Sequence, residues 1–333
     1  MSAVLIVIIL LVILALVFDF SNGFHDTANT VATSISTGAL SPRVAVILAG
    51  VANFVGALAF TGVAKTISKG IVDPFSLDHG SYVILAALIA AIAWNLITWY
   101  FGIPSSSSHA IIGSVAGAAI ASQGLFSLNY DGFLNIILAL VVSPFVALAL
   151  GFVIMTVFKG VFKNFPLSKT NKGFRLFQIL TAAMQSFAHG TNDGQKSMGI
   201  ITLALISANY LTTTEIPMWV RIICAVAMGL GTAVGGWRII KTVGGKIMKI
   251  RPVNGASADL SSAIIIFGFS RLGLPVSSTH VISSSIMGVG SAQRVKAVKW
   301  GVARRIIITW VITLPITALI AGIVFKLIML IAG

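Results

Sequence analysis

Long apolar runs alternate with short polar segments along almost the whole chain. The runs last about twenty residues, which is the length of helix that crosses a hydrocarbon core about 30 Å thick. Residues 1–19 form the first run and residues 306–332 the last. Strands of a membrane β-barrel would instead alternate in hydrophobicity over segments of about ten residues. The pattern therefore predicts an all-α polytopic membrane protein with about 10–12 transmembrane segments.

Composition agrees with a lipid environment. Of the 333 residues, 57% are hydrophobic and 9% are charged, whereas soluble domains carry about 25% charged residues. Residues 1–19 lack a basic start and a small-residue cleavage site, so we expect a first membrane helix rather than a signal peptide. The single cysteine, Cys224, excludes an internal disulfide.

Positive charge is concentrated between the apolar runs. Fifteen of the 22 lysines and arginines lie in three short segments that contain no acid. They are Lys159, Lys163, Lys169, Lys172, Arg175, Arg238, Lys241, Lys246, Lys249, Arg251, Arg294, Lys296, Lys299, Arg304 and Arg305. Basic loops stay in the cytoplasm, so we expect a multi-pass protein of the plasma (inner) membrane with both termini outside. Topology thus explains the net charge of +14 without a nucleic-acid partner.

These anchors divide the chain into two series of crossings with opposite orientation. We predict a first inverted repeat over residues 1–158, a cytoplasmic basic linker over 159–175 and a second inverted repeat over 176–333. Inverted repeats with interrupted helices are typical of secondary transporters, whose substrate site lies near the midplane where the repeats meet.

Two duplicated motifs support this division. The stretch "FSNGFHDTAN" (20–29) aligns with "FAHGTNDGQK" (187–196) at an offset of 167. The stretch "GIPSSSSHAIIGSVAG" (102–117) aligns with "GLPVSSTHVISSSIMG" (273–288) at an offset of 171. Both motifs recur in the same order and at nearly the same spacing, which indicates an internal duplication.

The asparagine–aspartate motif predicts an ion site. Gly23 and Gly190 permit the chain to leave helical geometry, and the neighbouring polar side chains favour bonds to the local backbone. We therefore expect a broken helix whose freed carbonyls, with carboxylate and amide oxygens, hold sodium. The predicted sodium ligands are Asn22, Asp26, Asn29 and Asp193. The alternative is a polar patch that joins helices through hydrogen bonds.

The proline–serine–histidine motif predicts an anion site. Pro104 and Pro275 precede hydroxyl side chains and then an apolar stretch, which is typical of a helix start in a re-entrant helical hairpin. Two such N-termini, facing each other, would bind an oxyanion. The predicted anion ligands are Ser106, Ser107, Ser108, Ser277, Ser278 and Thr279, with Asn192 and Gln195 nearby. Ordinary serine capping is the alternative for either copy.

Other polar residues are predicted to support the site. They are His25, His109, His189, His280, Lys196 and Asp259. The histidines show no known transition-metal spacing and thiolate ligands are missing, so hydrogen bonding or proton sensing is favoured. An intramembrane hydrolase is disfavoured because the chain has no G-x-S-x-G elbow, and a channel fits a central anion site less well than a carrier does. We therefore expect a protein that is not an enzyme.

The motifs resemble those of the inorganic phosphate transporter (PiT) family. "NGFHDTANTVAT" and "HGTNDGQKSMGI" are similar to its two signatures, and "WNLITWYFGIPSSSSHAIIG" and "GLPVSSTHVISSS" to its hairpins. The resemblance runs across nearly the whole chain. It implies phosphate symport with Na⁺, or with H⁺ in some bacterial members, by a dimer with inverted repeats.

The resemblance also carries residue roles. Asp26 and Asp193 match the essential aspartates of the family, Ser106 and Ser277 match serines implicated in transport, and Asp259 matches an acid before the second hairpin. Two positions depart from the pattern. Asn53 stands where animal relatives have a glutamate, and Lys196 stands where the other repeat has Asn29.

The predicted function is sodium-coupled phosphate import by alternating access, with sodium as co-substrate and no prosthetic cofactor. Moving a phosphate dianion into a negative-inside cell costs about 4.6 kcal/mol at 100 mV, from ~2.3 kcal/mol per charge. Two monovalent cations cancel that cost, so at least two Na⁺ per phosphate are expected. A proton-coupled phosphate carrier or a metal–phosphate carrier is the alternative, and a sulfate permease is less favoured.

Overall fold

The computed structural model describes residues 3–332, and the regular structure in that part of the chain is helical. Twelve α-helices occur there, together with short 3₁₀ turns at Leu125–Ser127 and Val295–Ala297. The helices are α1 Ala3–Ser36, α2 Pro42–Ala59, α3 Gly62–Gly70, α4 Gly80–Phe101, α5 Ser107–Gln123, α6 Tyr130–Phe162, α7 Leu167–Ser207, α8 Met218–Val234, α9 Trp237–Gly245, α10 Pro252–Arg271, α11 Ser278–Gln293 and α12 Trp300–Ala332. The prediction of an all-α polytopic membrane protein is confirmed.

The helices differ in how readily they can cross a membrane. Within the described residues, α1, α2, α4, α6 and α12 are each long and apolar enough to span it. Helices α8 and α9 form a sixth candidate that is bent by 71° at a short break. Helix α7 has 41 residues but carries the polar motif, and α5 and α11 have 17 and 16 residues. The helices that hold the candidate chemistry are therefore the shorter or more polar ones.

Element order repeats along the chain. Helices α1–α6 and α7–α12 form two series, and each series has its short 3₁₀ turn just before the last helix. The predicted linker is largely helical, because the ends of α6 and α7 leave only residues 163–166 between them. The opposite orientation of the two series, and their division at residues 158 and 176, stay predictions.

The predicted break at the asparagine–aspartate motifs is wrong. Helices α1 and α7 run unbroken through both motifs, and the broken helix lies instead at α8–α9. The motif glycines serve close packing. A Cβ atom at Gly23 would lie 2.6 Å from the carbonyl oxygen of Met228, and one at Gly190 would lie 2.2 Å from that of Asn53. Small residues let the backbones of membrane helices approach closely, so here glycine marks a helix crossing.

Each series packs largely against the other. Helix α1 lies along α8 and α7 lies along α2, while α5 lies along α12 and α11 along α6. The last two contacts are tight, since a Cβ atom at Gly117 would be 2.1 Å from the Ala318 carbonyl oxygen and one at Gly288 would be 2.0 Å from that of Leu148. The motif helices α1, α5, α7 and α11 therefore meet where the two series interlock.

Candidate substrate and ion site

A stripe of buried polar side chains runs along one face of α1. Its members are spaced three or four residues apart, as one helical face requires, and they are Asp19, Asn22, Asp26, Asn29 and Thr33. Helix α7 faces this stripe with its own buried motif. Ligand atoms of Asp26, His189 and Asp193 all lie within 4.8 Å of one another. The structure thus brings the two motif aspartates together.

Three hydroxyl positions align between the two serine runs, namely Ser106 with Ser277, Ser107 with Ser278 and Ser108 with Thr279, and the first of these positions caps a helix in each copy. Ser106 Oγ accepts a hydrogen bond of 3.1 Å from the backbone N–H of His109 at the start of α5. Ser277 Oγ accepts one of 3.3 Å from the backbone N–H of His280 at the start of α11. Both helices begin where the proline–serine pattern predicts, and ordinary capping describes these two serines.

The second hydroxyl of each run contacts the aspartate of its own series. Ser107 Oγ donates to Asp26 Oδ2 over 3.0 Å, and Ser278 Oγ donates to Asp193 Oδ2 over 2.6 Å. These two bonds correspond under the motif offsets. Each hairpin end is therefore fixed to a carboxylate on the long motif helix.

The third position of each run connects the two series. Thr279 Oγ1 donates to Asp26 Oδ1 over 3.2 Å and accepts from Asn29 Nδ2 over 2.8 Å. In the other copy, Lys196 Nζ donates to Ser108 Oγ over 2.5 Å, and that hydroxyl donates to the Val276 carbonyl oxygen over 2.8 Å. The N-termini of α5 and α11 consequently meet beside both aspartates.

Lys196 supplies a positive charge at this junction. Its side chain is fully buried and forms an ion pair with Asp193 Oδ1. Buried charges need a partner of opposite sign, because removal from water is otherwise costly. The offset of 167 relates Lys196 to Asn29, so one series holds an ammonium where the other holds an amide.

Two of the four motif histidines contact the aspartates. His25 Nδ1 lies 2.9 Å from Asp26 Oδ1, and its Nε2 lies 3.2 Å from Thr98 Oγ1. His189 Nε2 lies 2.8 Å from Asp193 Oδ2, and its Nδ1 lies 2.6 Å from Asn53 Oδ1. Each carboxylate therefore has one imidazole whose other nitrogen is held by a neighbouring helix.

The other two histidines contact each other and form no hydrogen bond with either aspartate. The rings of His109 and His280 have centroids 4.5 Å apart, and His280 also stacks on Trp310 at 4.0 Å. Both imidazoles line a cavity of about 640 Å³ whose walls include Pro144 and Pro315. Together with Trp310, this pair of histidines connects α5, α11 and α12.

Asn192 and Gln195 use their amides to hold backbone. Asn192 Oδ1 accepts from the Val276 N–H over 3.1 Å, just before α11. Gln195 Oε1 accepts from the Ala64 N–H over 3.1 Å, in the first turn of α3. These contacts fix the loop before α11 and the start of α3. Neither amide forms a hydrogen bond with Asp26 or Asp193.

Asp259 lies in a separate buried cluster. Its carboxylate accepts from Thr33 Oγ1 over 2.6 Å and from Gln178 Nε2 over 3.3 Å. Thr33 is two turns along α1 from Asp26, and the polar period of α1 would have located it from sequence. Gln178 and Thr98 offered no comparable signal, because they lie outside both motifs.

The junction can accommodate charges of both signs. Helix N-termini and an ammonium favour an oxyanion, while the carboxylate of Asp26 and the buried, unpaired Oδ1 of Asn29 offer hard oxygen ligands to a cation. The side chains at the junction are buried from water, so opposite charges bound there would interact strongly. The geometry suits simultaneous binding of an anion and a cation.

Comparison with known proteins identifies the substrate class. Residues 22–321 match the model of the phosphate transporter family. A probable low-affinity inorganic phosphate transporter of Bacillus subtilis (strain 168) is 66% identical over 326 residues, covering 98% of each chain. One of Rhizobium meliloti (strain 1021) is 44% identical over 317 residues, which are 95% of this chain and 94% of that protein.

A solved structure has the same fold. It is described as the sodium-dependent phosphate transporter, superimposes with a TM-score of 0.84 at 29% identity, and covers 98% of this chain and 99% of its own. These relatives are transporters and not enzymes. The family model and the similarity to full-length relatives together show that this chain belongs to the phosphate transporter family.

Proposed function

We propose that the chain imports inorganic phosphate together with sodium, by alternating access around the junction of α1, α5, α7 and α11. The observation that carries this proposal is the meeting of two helix N-termini beside Asp26 and Asp193. Phosphate lies between the helix ends, and sodium lies next to it on a carboxylate. The motion exposes this junction to one side of the membrane at a time.

The anion is held by donors from both series. The first turns of α5 and α11 have backbone N–H groups without intrahelical acceptors, and both helix dipoles have their positive ends there. Lys196 adds an ammonium, and the hydroxyls of Ser108 and Thr279 turn from the Val276 carbonyl oxygen and Asp26 toward the anion when it binds. These groups recognise a tetrahedral oxyanion without a dedicated arginine.

The sodium ion is held by Asp26. Its carboxylate is buried, and Asn29 places an unpaired oxygen on the same face one turn later. Oxygen ligands of this kind suit a hard cation. The similarity to a sodium-dependent phosphate transporter supports sodium as that cation.

Electrostatics sets the number of ions. Entry of a phosphate dianion into a negative-inside cell costs about 4.6 kcal/mol at 100 mV, and each accompanying cation lowers that cost by ~2.3 kcal/mol. At least two Na⁺ per phosphate make entry independent of the potential or assisted by it. The three basic segments lie in the cytoplasm, both termini lie outside, and the chain works as a homodimer in this proposal.

Uptake into proteoliposomes tests the coupling. With two Na⁺ per phosphate, a tenfold inward sodium gradient is expected to drive up to about 100-fold accumulation of radiolabelled phosphate. Potassium in place of sodium serves as the control. Uptake that follows an acid-outside pH gradient instead would favour a proton-coupled carrier. A requirement for divalent metals would favour a metal–phosphate carrier, and effective competition by sulfate would favour a sulfate permease.

Thr279→Val tests the contact between the series. Valine has the same shape but loses the hydroxyl that donates to Asp26 and accepts from Asn29. Leaving buried polar groups unpaired costs about 1–3 kcal/mol, so uptake is expected to fall roughly 10–100-fold. Ser283→Ala is the matched control, since this buried hydroxyl one turn later has no partner among the described residues. Equal uptake by the two variants would contradict the proposed role.

A further inference from the structure

A second group of buried polar atoms lies one to two turns along α1 from Asp26. Asp19 and Asn22 are fully buried on the polar face of α1, and none of their side-chain oxygen or nitrogen atoms has a hydrogen-bond partner among the described residues. Ser197 on α7 is also fully buried and unpaired, and its hydroxyl faces the Asp19 carboxylate.

Such a group needs a ligand because it lies at membrane depth. A buried carboxylate without a partner is strongly disfavoured, and buried charges in proteins are paired or coordinate a metal ion. No basic side chain in the described part of the chain lies within ion-pair distance of Asp19. The nearest lysine in this region, Lys196, is already held by Asp193 and Ser108.

Lys196 also changes what Asp193 can bind. The corresponding residue of the other series, Asn29, leaves an oxygen free beside Asp26. At Asp193, by contrast, the ammonium contacts Oδ1, while Ser278 and His189 contact Oδ2. The ammonium of Lys196 therefore occupies the position on Asp193 that a sodium ion would take.

Charge balance points to the same place. With Asp19, Asp26 and Asp193 all ionised, three negative charges would face the single positive charge of Lys196, and two of them would lack a counter-charge. One sodium ion on Asp26 and one on Asp19 would neutralise them. Asp19 and Asp26 are seven positions apart on α1, which at about 1.5 Å per residue separates them by about 10 Å, so the two ions occupy distinct places.

We propose that Asp19, Asn22 and Ser197 form a second sodium site, which replaces the cation position that Lys196 closes at Asp193. The inference rests on the proposed sodium coupling and assigns where its second ion binds. The carboxylate, the Asn22 amide oxygen and the Ser197 hydroxyl supply oxygen ligands from two helices. Asn22 thereby belongs to the Asp19 site, and Asp26 with Asn29 retains the first sodium.

Sodium binding to the purified full-length protein tests the assignment. Binding of ²²Na⁺ without phosphate is expected to saturate at two ions per chain for the wild type and at one for Asp19→Asn. The Hill coefficient of sodium-driven phosphate uptake is expected to fall from about 2 to about 1. Thr202→Val, which alters another buried unpaired hydroxyl of α7, is the control and is expected to keep two ions.

The alternatives give different results. If Asp19→Asn still binds two ions with an unchanged Hill coefficient, the inference is overturned and Asp19 is protonated or only balances Lys196. If the wild type binds no sodium, the proposed coupling fails as well. If Asp19→Asn does not remain monodisperse, Ser197→Ala replaces it. That variant is expected to weaken one of two sodium affinities about tenfold, and two unchanged affinities would overturn the assignment.

Discussion

Asp26→Asn is expected to lower phosphate uptake by more than about 100-fold while the protein remains folded. The carboxylate accepts hydrogen bonds from Ser107 and Thr279 and contacts His25. Truncating one partner of a buried, hydrogen-bonded charge pair costs about 2–5 kcal/mol or more of binding free energy, and every 1.4 kcal/mol is about a factor of ten. Asparagine keeps the shape but lacks the negative charge that holds sodium.

The measurement compares initial uptake rates in proteoliposomes at equal protein density. Asp131→Asn is the control, since Asp131 is an exposed acid in the first turn of α6. Size-exclusion chromatography and thermal melting in detergent establish that each variant is folded. An Asp26→Asn protein with wild-type uptake at the same sodium concentration would remove this aspartate from the proposed mechanism.

Gly288→Val is expected to prevent formation of a stable fold. A Cβ atom at Gly288 would lie 2.0 Å from the Leu148 carbonyl oxygen and 2.9 and 3.1 Å from the carbonyl carbon and Cα of the same residue, which are all backbone atoms of α6. Backbone cannot rotate away as a side chain can, so α11 and α6 must separate. Overpacking a close contact costs about 1–3 kcal/mol or more, and this contact also positions the N-terminus of α11.

Gly268→Val is the matched control. It introduces the same side chain at an exposed glycine of α10, where an added Cβ atom would have no atom of another helix within 4 Å. The yield of monodisperse protein and the melting temperature report the outcome, and Gly288→Val is expected to lose most of both. Equal melting temperatures for the two variants would show that α11 and α6 can separate without cost.

The duplicated motifs made much of the fold and the site predictable. The paired aspartates and the two serine runs indicated which segments meet, and the structure brings them together. Helix starts at Ser107 and Ser278 follow from the prolines and the capping hydroxyls. These features depend on local chemistry, which sequence records directly.

Features that depend on a distant helix were not predictable. Glycine and polar residues at 20–29 indicated a break, but α1 continues through them, and the close approach of α8 explains the glycine at position 23. Likewise, three adjacent hydroxyls look equivalent in sequence, yet Ser106 caps, Ser107 bonds to its own aspartate and Ser108 contacts Lys196. Their separate roles follow from which helix each hydroxyl faces.

The interlocking of the two series has a consequence for biosynthesis. Helix α5 packs along α12, whose synthesis begins almost 180 residues after α5 is complete. At about 5–20 residues per second, the ribosome needs roughly 10–40 s to supply that cover. During this interval the small-residue face of α5 around Gly117 lies open to lipid or to the insertion machinery, so the nascent chain has to be protected from premature partners until translation reaches its last helix.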